Sequence, residues 1–324
     1  MLLSVILFAV GLVLLIKGGD WFVDGATGIA KRFNLPDIVV GATVVSIGTT
    51  LPEVMVSTTG ALAGSGAMAY GNAIGSIICN TALIAAISIT VNPGPVNVKS
   101  MKTPAIFFFG AAALYCLAAY GLQTFPRWLG FVMLAVFVIY MILTVRNGMR
   151  NPDTAEEEEE EASKPRKFWQ EILLLVIGAA VIAVGADLLV DHGQIIAIGL
   201  GVPETVVALL FVALGTSLPE LVTTITSLKK GRASLGVGNV IGANVFNLVL
   251  VSGVAVSLAP FDVPCENTLL NTGLNMSLVF EIPVMLGVMS LMIFPTLAAK
   301  KLARWQGILL LGIYVAFCVC QFIL

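Results

Sequence analysis

Two pairs of short stretches in this sequence are nearly the same. Residues 48–53 read GTTLPE and residues 215–220 read GTSLPE, 167 positions further along. Residues 71–80 read GNAIGSIICN and residues 238–247 read GNVIGANVFN, at the same spacing. The same shift aligns three more pairs of residues, which are Asp20 with Asp187, Asp24 with Asp191, and Pro36 with Pro203. The register holds without a gap, so the chain contains an internal repeat. Residues 167 positions apart are called repeat equivalents below.

The composition indicates a membrane protein. Of the 324 residues, 58% are hydrophobic and 11% are charged, against about 45–50% and about 25% in soluble domains. Apolar runs recur from Leu2 to Leu324 and leave no polar stretch large enough to fold separately, which excludes a tethered soluble enzyme. The formal net charge of −2 gives no reason to expect a nucleic acid or another highly charged polymer as a partner.

The apolar runs predict helices, because a helix of about 20 residues spans the hydrocarbon core and the runs lack the alternation of a barrel strand. We predict ten transmembrane helices, at residues 2–19 (or as far as 29), 35–62, 69–91, 103–120, 126–146, 168–190, 202–228, 236–258, 282–299 and 303–323. Each repeat has five crossings, an odd number, so the second copy crosses in the opposite sense. The predicted fold class is an all-α membrane protein with two inverted-topology five-helix repeats, a plan that places the site at the midplane.

The predicted boundaries are 1–146 for the first repeat, 147–167 for an acidic linker and 168–324 for the second repeat. The linker contains six consecutive glutamates, Glu156 to Glu161, and a block of like charge stays solvated.

Positive charge predicts the orientation, since cytoplasmic loops collect Lys and Arg. With the N-terminus outside, the outer loops hold only Arg127, and Lys17 lies inside the first helix. The other fifteen of the 17 basic residues then lie on the cytoplasmic side: Lys31, Arg32, Lys99, Lys102, Arg146, Arg150, Lys164, Arg166, Lys167, Lys229, Lys230, Arg232, Lys300, Lys301 and Arg304. We therefore expect extracytoplasmic termini and a cytoplasmic linker.

The repeated GT(T/S)LPE motif places a carboxylate deep in each copy. Glu53 and Glu220 lie well inside apolar segments, where an acidic side chain is costly unless it is paired or faces a wet cavity. Thr49 and Thr50 share a helix face with Glu53. Pro52 has no N–H for the carbonyl of Gly48, so the helix should kink or break there and free backbone oxygens. The same reasoning applies to the second copy.

The second motif adds a polar stripe. Asn72, Ser76 and Asn80 repeat at intervals of four, and Asn239 and Asn247 continue the pattern in the second copy. Such groups can also serve helix packing, as can the glycines Gly71, Gly75, Gly238 and Gly242. Beside two buried carboxylates and two helix breaks, we favour a role of this polar stripe in the ion site over helix packing. Oxygen ligands select hard cations, and two carboxylates balance one Ca²⁺ or two or more monovalent ions or protons.

With these motifs the chain resembles the cation/calcium exchanger superfamily, and it is most similar to the prokaryotic sodium/calcium exchangers. The resemblance implies an antiporter of the cell (inner) membrane, with one central site that binds Ca²⁺ or Na⁺ alternately. It implies alternating access in which the first and sixth helices slide across the other eight. It implies no cofactor and no obligatory protein partner. The lipid bilayer is the expected surrounding.

The resemblance also implies the ligands. Side-chain ligands are expected at Thr49, Thr50, Glu53, Ser76, Asn80, Thr216, Ser217, Glu220 and Asn247, and main-chain oxygens at Ser46 and Ala213. The sequence departs from the family pattern at Ala243, where a hydroxyl like that of Ser76 is expected, and this puts one monovalent-ion site in doubt. Ile74 and Ile241 occupy the region where the proton-coupled relatives have an acidic residue, which favours sodium.

Other functions stay open at this point. A Ca²⁺/H⁺ antiporter on the same fold would use protons on Glu53 and Glu220. A channel would need a continuous pore, and an enzyme would need a nucleotide loop, nucleophile or zinc motif. Four further acids near helix ends are expected to be solvated or to serve ion entry: Asp20, Asp24, Asp187 and Asp191. Glu281 is expected to begin the ninth helix.

Overall fold

The computed structural model describes residues 2–150, 167–200, 215–264 and 275–323. These residues are predominantly helical. The helices, numbered α1 to α10, are Leu2–Phe33, the bent pair Asp37–Thr49 and Leu51–Leu62, Gly66–Val91, Val98–Leu122, Arg127–Arg150, Phe168–Gly199, Leu218–Lys229, Ala233–Leu258, Ser277–Ala299 and Arg304–Ile323. Eight of them are long and apolar enough to cross a membrane within the described ranges, and the bent pair α2 makes a ninth.

The predicted segments are found as helices, with corrections to their ends. α1 and α6 are 32 residues each, so the prediction that the first segment ends at residue 19 or 29 and the sixth at 190 was wrong. At 1.5 Å per residue each is about 48 Å long, more than an upright crossing needs. α5 continues to Arg150, inside the range assigned to the linker. The first part of the predicted segment 202–228 and the six glutamates lie outside the described residues.

Two very short strand pairs hold the loops together at opposite ends of the helices. Gly94–Pro95 (β1) pairs with Lys301–Leu302 (β4), and Thr124–Phe125 (β2) pairs with Phe261–Asp262 (β3). Each pair joins a loop of the first repeat to a loop of the second. β1 and β3 are repeat equivalents, so the two pairs relate to each other as an inverted repeat requires. These strands are the small departure from an all-α fold.

α3 and α8 lie at the centre of the molecule. In the most apolar 18-residue stretch of each helix, protein buries 72% of the residues in α3 and 83% in α8. The corresponding shares are 28% in α1 and 22% in α6. The central pair carries the second repeated motif. The helices that carry it are therefore surrounded by protein rather than lipid, as a buried polar site requires.

α1 and α6 pack against each other along their length through glycines. A Cβ added to Gly18 would lie 2.9 Å from the backbone nitrogen of Ile182, and one added to Gly11 would lie 2.9 Å from the carbonyl oxygen of Gly185. Gly18 and Gly185 are repeat equivalents, so the two helices cross with the symmetry of the repeat. Their contact surface belongs to a hydrophobic cluster separate from the main core.

α8 packs closely on the first half of α2. A Cβ at Gly238 would overlap the carbonyl oxygen of Ile38, and one at Gly242 would lie 2.5 Å from the Cα of Ala42. The predicted close approach at these two glycines is confirmed. At their equivalents Gly71 and Gly75, a Cβ would meet no atom of the described chain within 4 Å. The repeat equivalents of Ile38 and Ala42 lie within residues 201–214, outside that part of the chain.

Candidate functional site

α2 breaks where the first repeated motif predicts it. Its halves, Asp37–Thr49 and Leu51–Leu62, meet at 46° on either side of Thr50, whose φ and ψ are −87° and −2°. Pro52 lies in the first turn of the second half, where its missing N–H is not needed. The first turn of that half also contains Glu53, so the break places this carboxylate at the positive end of a helix.

The second repeat has the same local geometry. Ser217, the equivalent of Thr50, has φ −89° and ψ 3°, and α7 begins at the next residue with Pro219 in its first turn. The amides of Val54 and Leu221, again equivalents, each donate to the residue before the new helix, Thr50 and Ser217, at 3.1 Å. The predicted helix break is confirmed at the first LPE motif, and at the second the described residues show α7 beginning at Leu218 after a turn of the same geometry.

The two glutamates are completely buried and largely without partners. Both have 0% exposure. Neither side-chain oxygen of Glu53 has a hydrogen-bond partner among the described residues, and the same is true of Oε2 of Glu220. Oε1 of Glu220 accepts a hydrogen bond of 3.4 Å from the hydroxyl of Thr50, which lies in the other repeat. Burying a carboxylate oxygen without a partner costs several kcal/mol. A bound cation would remove this cost, so these oxygens are suited to bind one.

The two asparagines Asn80 and Asn247 each begin a turn of π-helix, Asn80–Ala85 in α3 and Asn247–Val251 in α8. Both are fully buried, and neither amide has a side-chain hydrogen bond within the described chain. The segment Leu51–Leu62 packs against the turn that contains Asn247, while α7 packs against the turn that contains Asn80. Each glutamate helix therefore lies beside the asparagine turn of the opposite repeat.

Two further asparagines hold the threonines of the opposite repeat. The hydroxyl of Thr49 donates to Oδ1 of Asn239 at 3.1 Å, and that of Thr216 donates to Oδ1 of Asn72 at 3.3 Å. Asn239 also accepts from the hydroxyl of Ser46 through its backbone oxygen, at 3.0 Å. Asn72 and Asn239 belong to the polar stripe recognised in the sequence, but they are absent from the expected ligand set. The sequence alone does not reveal that they hold the threonines, because the partners of each bond lie in opposite repeats.

The remaining expected ligands fall into three groups. Ser76 and Ser217 are buried, and the hydroxyl of Ser217 has no partner among the described residues. The carbonyl of Ser46 accepts from the amide of Thr50 at 3.0 Å, which leaves it one lone pair. Ala213, expected to offer the equivalent main-chain oxygen, lies outside the described residues. Ala243, the equivalent of Ser76, is fully buried and has no hydroxyl.

The assembled donor set is two carboxylates with neutral oxygens around them. Among the described residues, no group of three or more His, Cys, Asp and Glu side chains comes together. Unpartnered oxygen atoms occur at Glu53, Glu220, Asn80, Asn247 and Ser217. This is the chemistry of a site for a hard cation such as Ca²⁺ or Na⁺, which binds carboxylate, amide and hydroxyl oxygens.

Comparison with known proteins agrees with this chemistry. The family described as "Sodium/calcium exchanger protein" matches residues 3–146 and 171–323. The sodium/calcium exchanger MaX1 of Methanosarcina acetivorans is 30% identical over an alignment that covers 98% of each chain. This chain belongs to the sodium/calcium exchanger family.

Two further matches extend the comparison. The inner membrane protein YrbG of Escherichia coli is 32% identical over 81% of this exchanger and 82% of its own length. A solved structure of the sodium–calcium exchanger NCX_Mj, soaked with 2.5 mM Na⁺ and 0.1 mM Ca²⁺, superposes with a TM-score of 0.79 at 33% identity. That superposition covers 98% of this exchanger and 97% of NCX_Mj. The protein is thus a multi-pass membrane transporter and not an enzyme, and the predicted ten-helix inverted-repeat fold is confirmed.

Proposed function

We propose that this exchanger is a secondary antiporter that extrudes Ca²⁺ in exchange for Na⁺, with one midplane site built from both repeats. The observation that carries the proposal is the pair of fully buried glutamates, Glu53 and Glu220, because three of their four side-chain oxygens lack partners among the described residues. The hydrogen bond from Thr50 to Glu220 links the two repeats at this point. We assign ion binding to the ligands that the sequence analysis expects, including Ala213.

Exchange follows from charge. Two carboxylates neutralise one Ca²⁺ or two Na⁺ ions, whereas an empty site leaves two like charges together in a medium of low dielectric constant. The neutral oxygens of Asn80, Asn247 and Ser217 complete a flexible shell for Ca²⁺ or divide between smaller shells for Na⁺. The same ligands therefore serve both ions, which compete rather than bind together.

Alternating access is assigned to the α1–α6 pair. The pair packs as a unit through glycines and carries few of the residues in the main core. Movement of this pair over α2 and α7 would cover one side of the glutamates and uncover the other. α2 approaches α1 closely at Gly48, because a Cβ there would lie 2.9 Å from the ring of Phe22 in α1.

The proposed orientation places both termini outside the cell membrane and the linker in the cytoplasm. It is supported by the positive charge of the predicted inner loops and by the strand pairs, which group loops as the alternation of ten crossings requires. We retain residues 1–146 and 168–324 as the two repeats and 147–167 as the linker, with α5 ending inside the linker range.

The proposal is tested by ⁴⁵Ca²⁺ uptake into proteoliposomes with an imposed gradient of Na⁺, K⁺ or H⁺. An outward Na⁺ gradient should drive Ca²⁺ accumulation, and a K⁺ gradient of the same size should not. Uptake driven by a proton gradient without sodium would instead establish the Ca²⁺/H⁺ antiporter. Saturable flux that requires a counter-ion separates either antiporter from a channel.

A further inference from the structure

An ion-paired lysine connects the α1–α6 pair to the rest of the molecule. Nζ of Lys230, in the turn between α7 and α8, lies 2.6 Å from Oδ1 of Asp24 and 3.6 Å from Oδ1 of Asp20. It also donates to the backbone oxygen of Asp20 at 2.9 Å. The side chains of Asp20 and Asp24 are partly exposed, as expected, but they also pair with Lys230, which the sequence did not predict.

Two neighbouring ion pairs do not join the α1–α6 pair to the rest of the molecule. Nε of Arg32 in α1 lies 2.9 Å from Oε2 of Glu171 in α6, inside the pair. Nη1 of Arg232 lies 3.2 Å from Oδ2 of Asp37 at the start of α2, inside the remainder. In contrast, the two salt bridges of Lys230 join the two units.

At the opposite end of the molecule, the described residues form no such connection. The repeat equivalents of Asp20 and Asp24 are Asp187 and Asp191, which are exposed and form no salt bridge within the described residues. The repeat equivalent of Lys230 is Ala63, also exposed. The one basic residue predicted for the outer loops, Arg127, donates to the carbonyl oxygen of Leu258 instead. The two repeats thus share the acids but not the cation.

We propose that Lys230 is a one-sided latch that holds the cytoplasmic side of the exchanger closed and favours the outward-facing conformation. This rests on the proposed alternating access of the α1–α6 pair. If that pair slides, Asp20 and Asp24 move away from the α7–α8 turn when the cytoplasmic side opens, and the contacts of Lys230 break. Opening the outer side breaks no equivalent bridge. The two repeats therefore differ at this contact, because Lys230 has Ala63 as its equivalent in the first repeat.

The latch is tested by spin-label distances in the full chain, in a background without native cysteines that retains ⁴⁵Ca²⁺ flux. Labels at the exposed positions Lys31 in α1 and Lys229 in α7 report the gap between the two units. Labels at Lys31 and Lys167 serve as a control, because both lie at the cytoplasmic end of the α1–α6 pair. Distances are measured with saturating Na⁺, with saturating Ca²⁺ and without either ion.

Lys230→Met should raise the ratio of long to short Lys31–Lys229 distances by about two- to fivefold, the range expected for one partly exposed ion pair. The control distance should stay unchanged. The charge exchange Lys230→Asp with Asp24→Lys should restore the wild-type ratio. Ala63→Lys should raise the ratio as Lys230→Met does, since it gives Asp187 and Asp191 a cation at the outer end, whereas Ala63→Met should not. If Lys230→Met does not fold, Asp24→Asn replaces it and should raise the ratio of long to short distances in the same way.

Two results would overturn the proposal. If the wild type shows both distances but Lys230→Met and Asp24→Asn leave their ratio unchanged, Lys230 is not a latch, and alternating access stands. If no variant or ion condition yields a second distance, movement of the α1–α6 pair fails and the latch fails with it.

Discussion

The hydroxyl of Thr49 donates a 3.1 Å hydrogen bond to the side-chain oxygen of Asn239, and its repeat equivalent Thr216 donates one of 3.3 Å to Asn72. Each bond runs from the broken helix of one repeat to the central helix of the other. The two repeats therefore position each other's ligands. Because the threonine proton is directed at the asparagine, the hydroxyl lone pairs stay available for a cation.

Removing these cross-repeat bonds should weaken ion binding without unfolding the protein. We expect Thr49→Val to reduce Ca²⁺ affinity about three- to tenfold, since a net hydrogen bond contributes about 0.5–1.5 kcal/mol. Asn239→Leu should cost at least as much, because it leaves the hydroxyl of Thr49 without its partner and removes one of the acceptors of the Ser46 hydroxyl. The measurement is calorimetric titration with Ca²⁺.

The control for these variants is Thr59→Val, which removes an exposed hydroxyl that bonds only to its own helix. The double variant Thr49→Val with Asn239→Leu should lose less than the sum of the two single changes, as expected for partners in one bond. Full additivity would show that the two side chains act independently.

The two glutamates should each be indispensable for transport. Glu53→Gln or Glu220→Gln keeps the shape of the side chain but removes half of the negative charge, so a bound divalent cation leaves net positive charge in a buried site. Na⁺-driven ⁴⁵Ca²⁺ uptake should fall to background in both. Glu281→Gln is the matched control, because Glu281 bonds to Gln321 in α10 and lies outside the proposed ligand set. Near-normal exchange by either site variant would refute the assignment.

Sodium should compete with calcium for the same oxygens. Calorimetric Ca²⁺ affinity is expected to fall as Na⁺ is raised, and K⁺ at equal ionic strength should have a much smaller effect. Competition that depends on pH and not on sodium would favour the proton-coupled mechanism.

The difference between Ser76 and Ala243 should affect sodium more than calcium. Ca²⁺ accepts a water in place of a lost ligand, whereas Na⁺ in a small site loses a larger share of its shell. We expect Ala243→Ser to strengthen Na⁺ competition against Ca²⁺ or raise its apparent cooperativity, and Ser76→Ala to weaken it. Flux measured against sodium concentration tests both variants. A response to Ser76→Ala alone would show that the repeats are not equivalent here.

Asn244 is the neighbour that could have replaced the missing hydroxyl of Ala243. In the structure its amide nitrogen donates to the hydroxyl of Thr81 at 2.7 Å and contacts the sulfur of Met289 at 3.1 Å. Its amide group therefore ties α8 to α3 and α9. If Ala243→Ser leaves the sodium dependence unchanged, the double variant Ala243→Ser with Asn244→Leu should reveal whether Asn244 masks the effect.

Much of this site could be predicted because the chain contains it twice. Pro52 and Pro219 indicate helix breaks from covalent structure alone, and Glu53 and Glu220 are conspicuous in apolar surroundings. Asn72 and Asn239 could not be assigned, because their partners lie in the other repeat and a helical pattern does not tell which neighbour a face meets. The ends of α1 and α6 were missed because both helices continue through polar residues such as Asp20 and Asp191, beyond the apolar run that defines a crossing.

The most direct test of a single site built from both repeats is the stoichiometry of Ca²⁺ binding to the purified exchanger and its two glutamine variants. Equilibrium dialysis with ⁴⁵Ca²⁺ in sodium-free buffer should give one high-affinity Ca²⁺ per chain in the wild type. Glu53→Gln and Glu220→Gln should each remove that ion completely. Two ions per wild-type chain, with one lost in each variant, would contradict the account, because each repeat would then hold a site of its own.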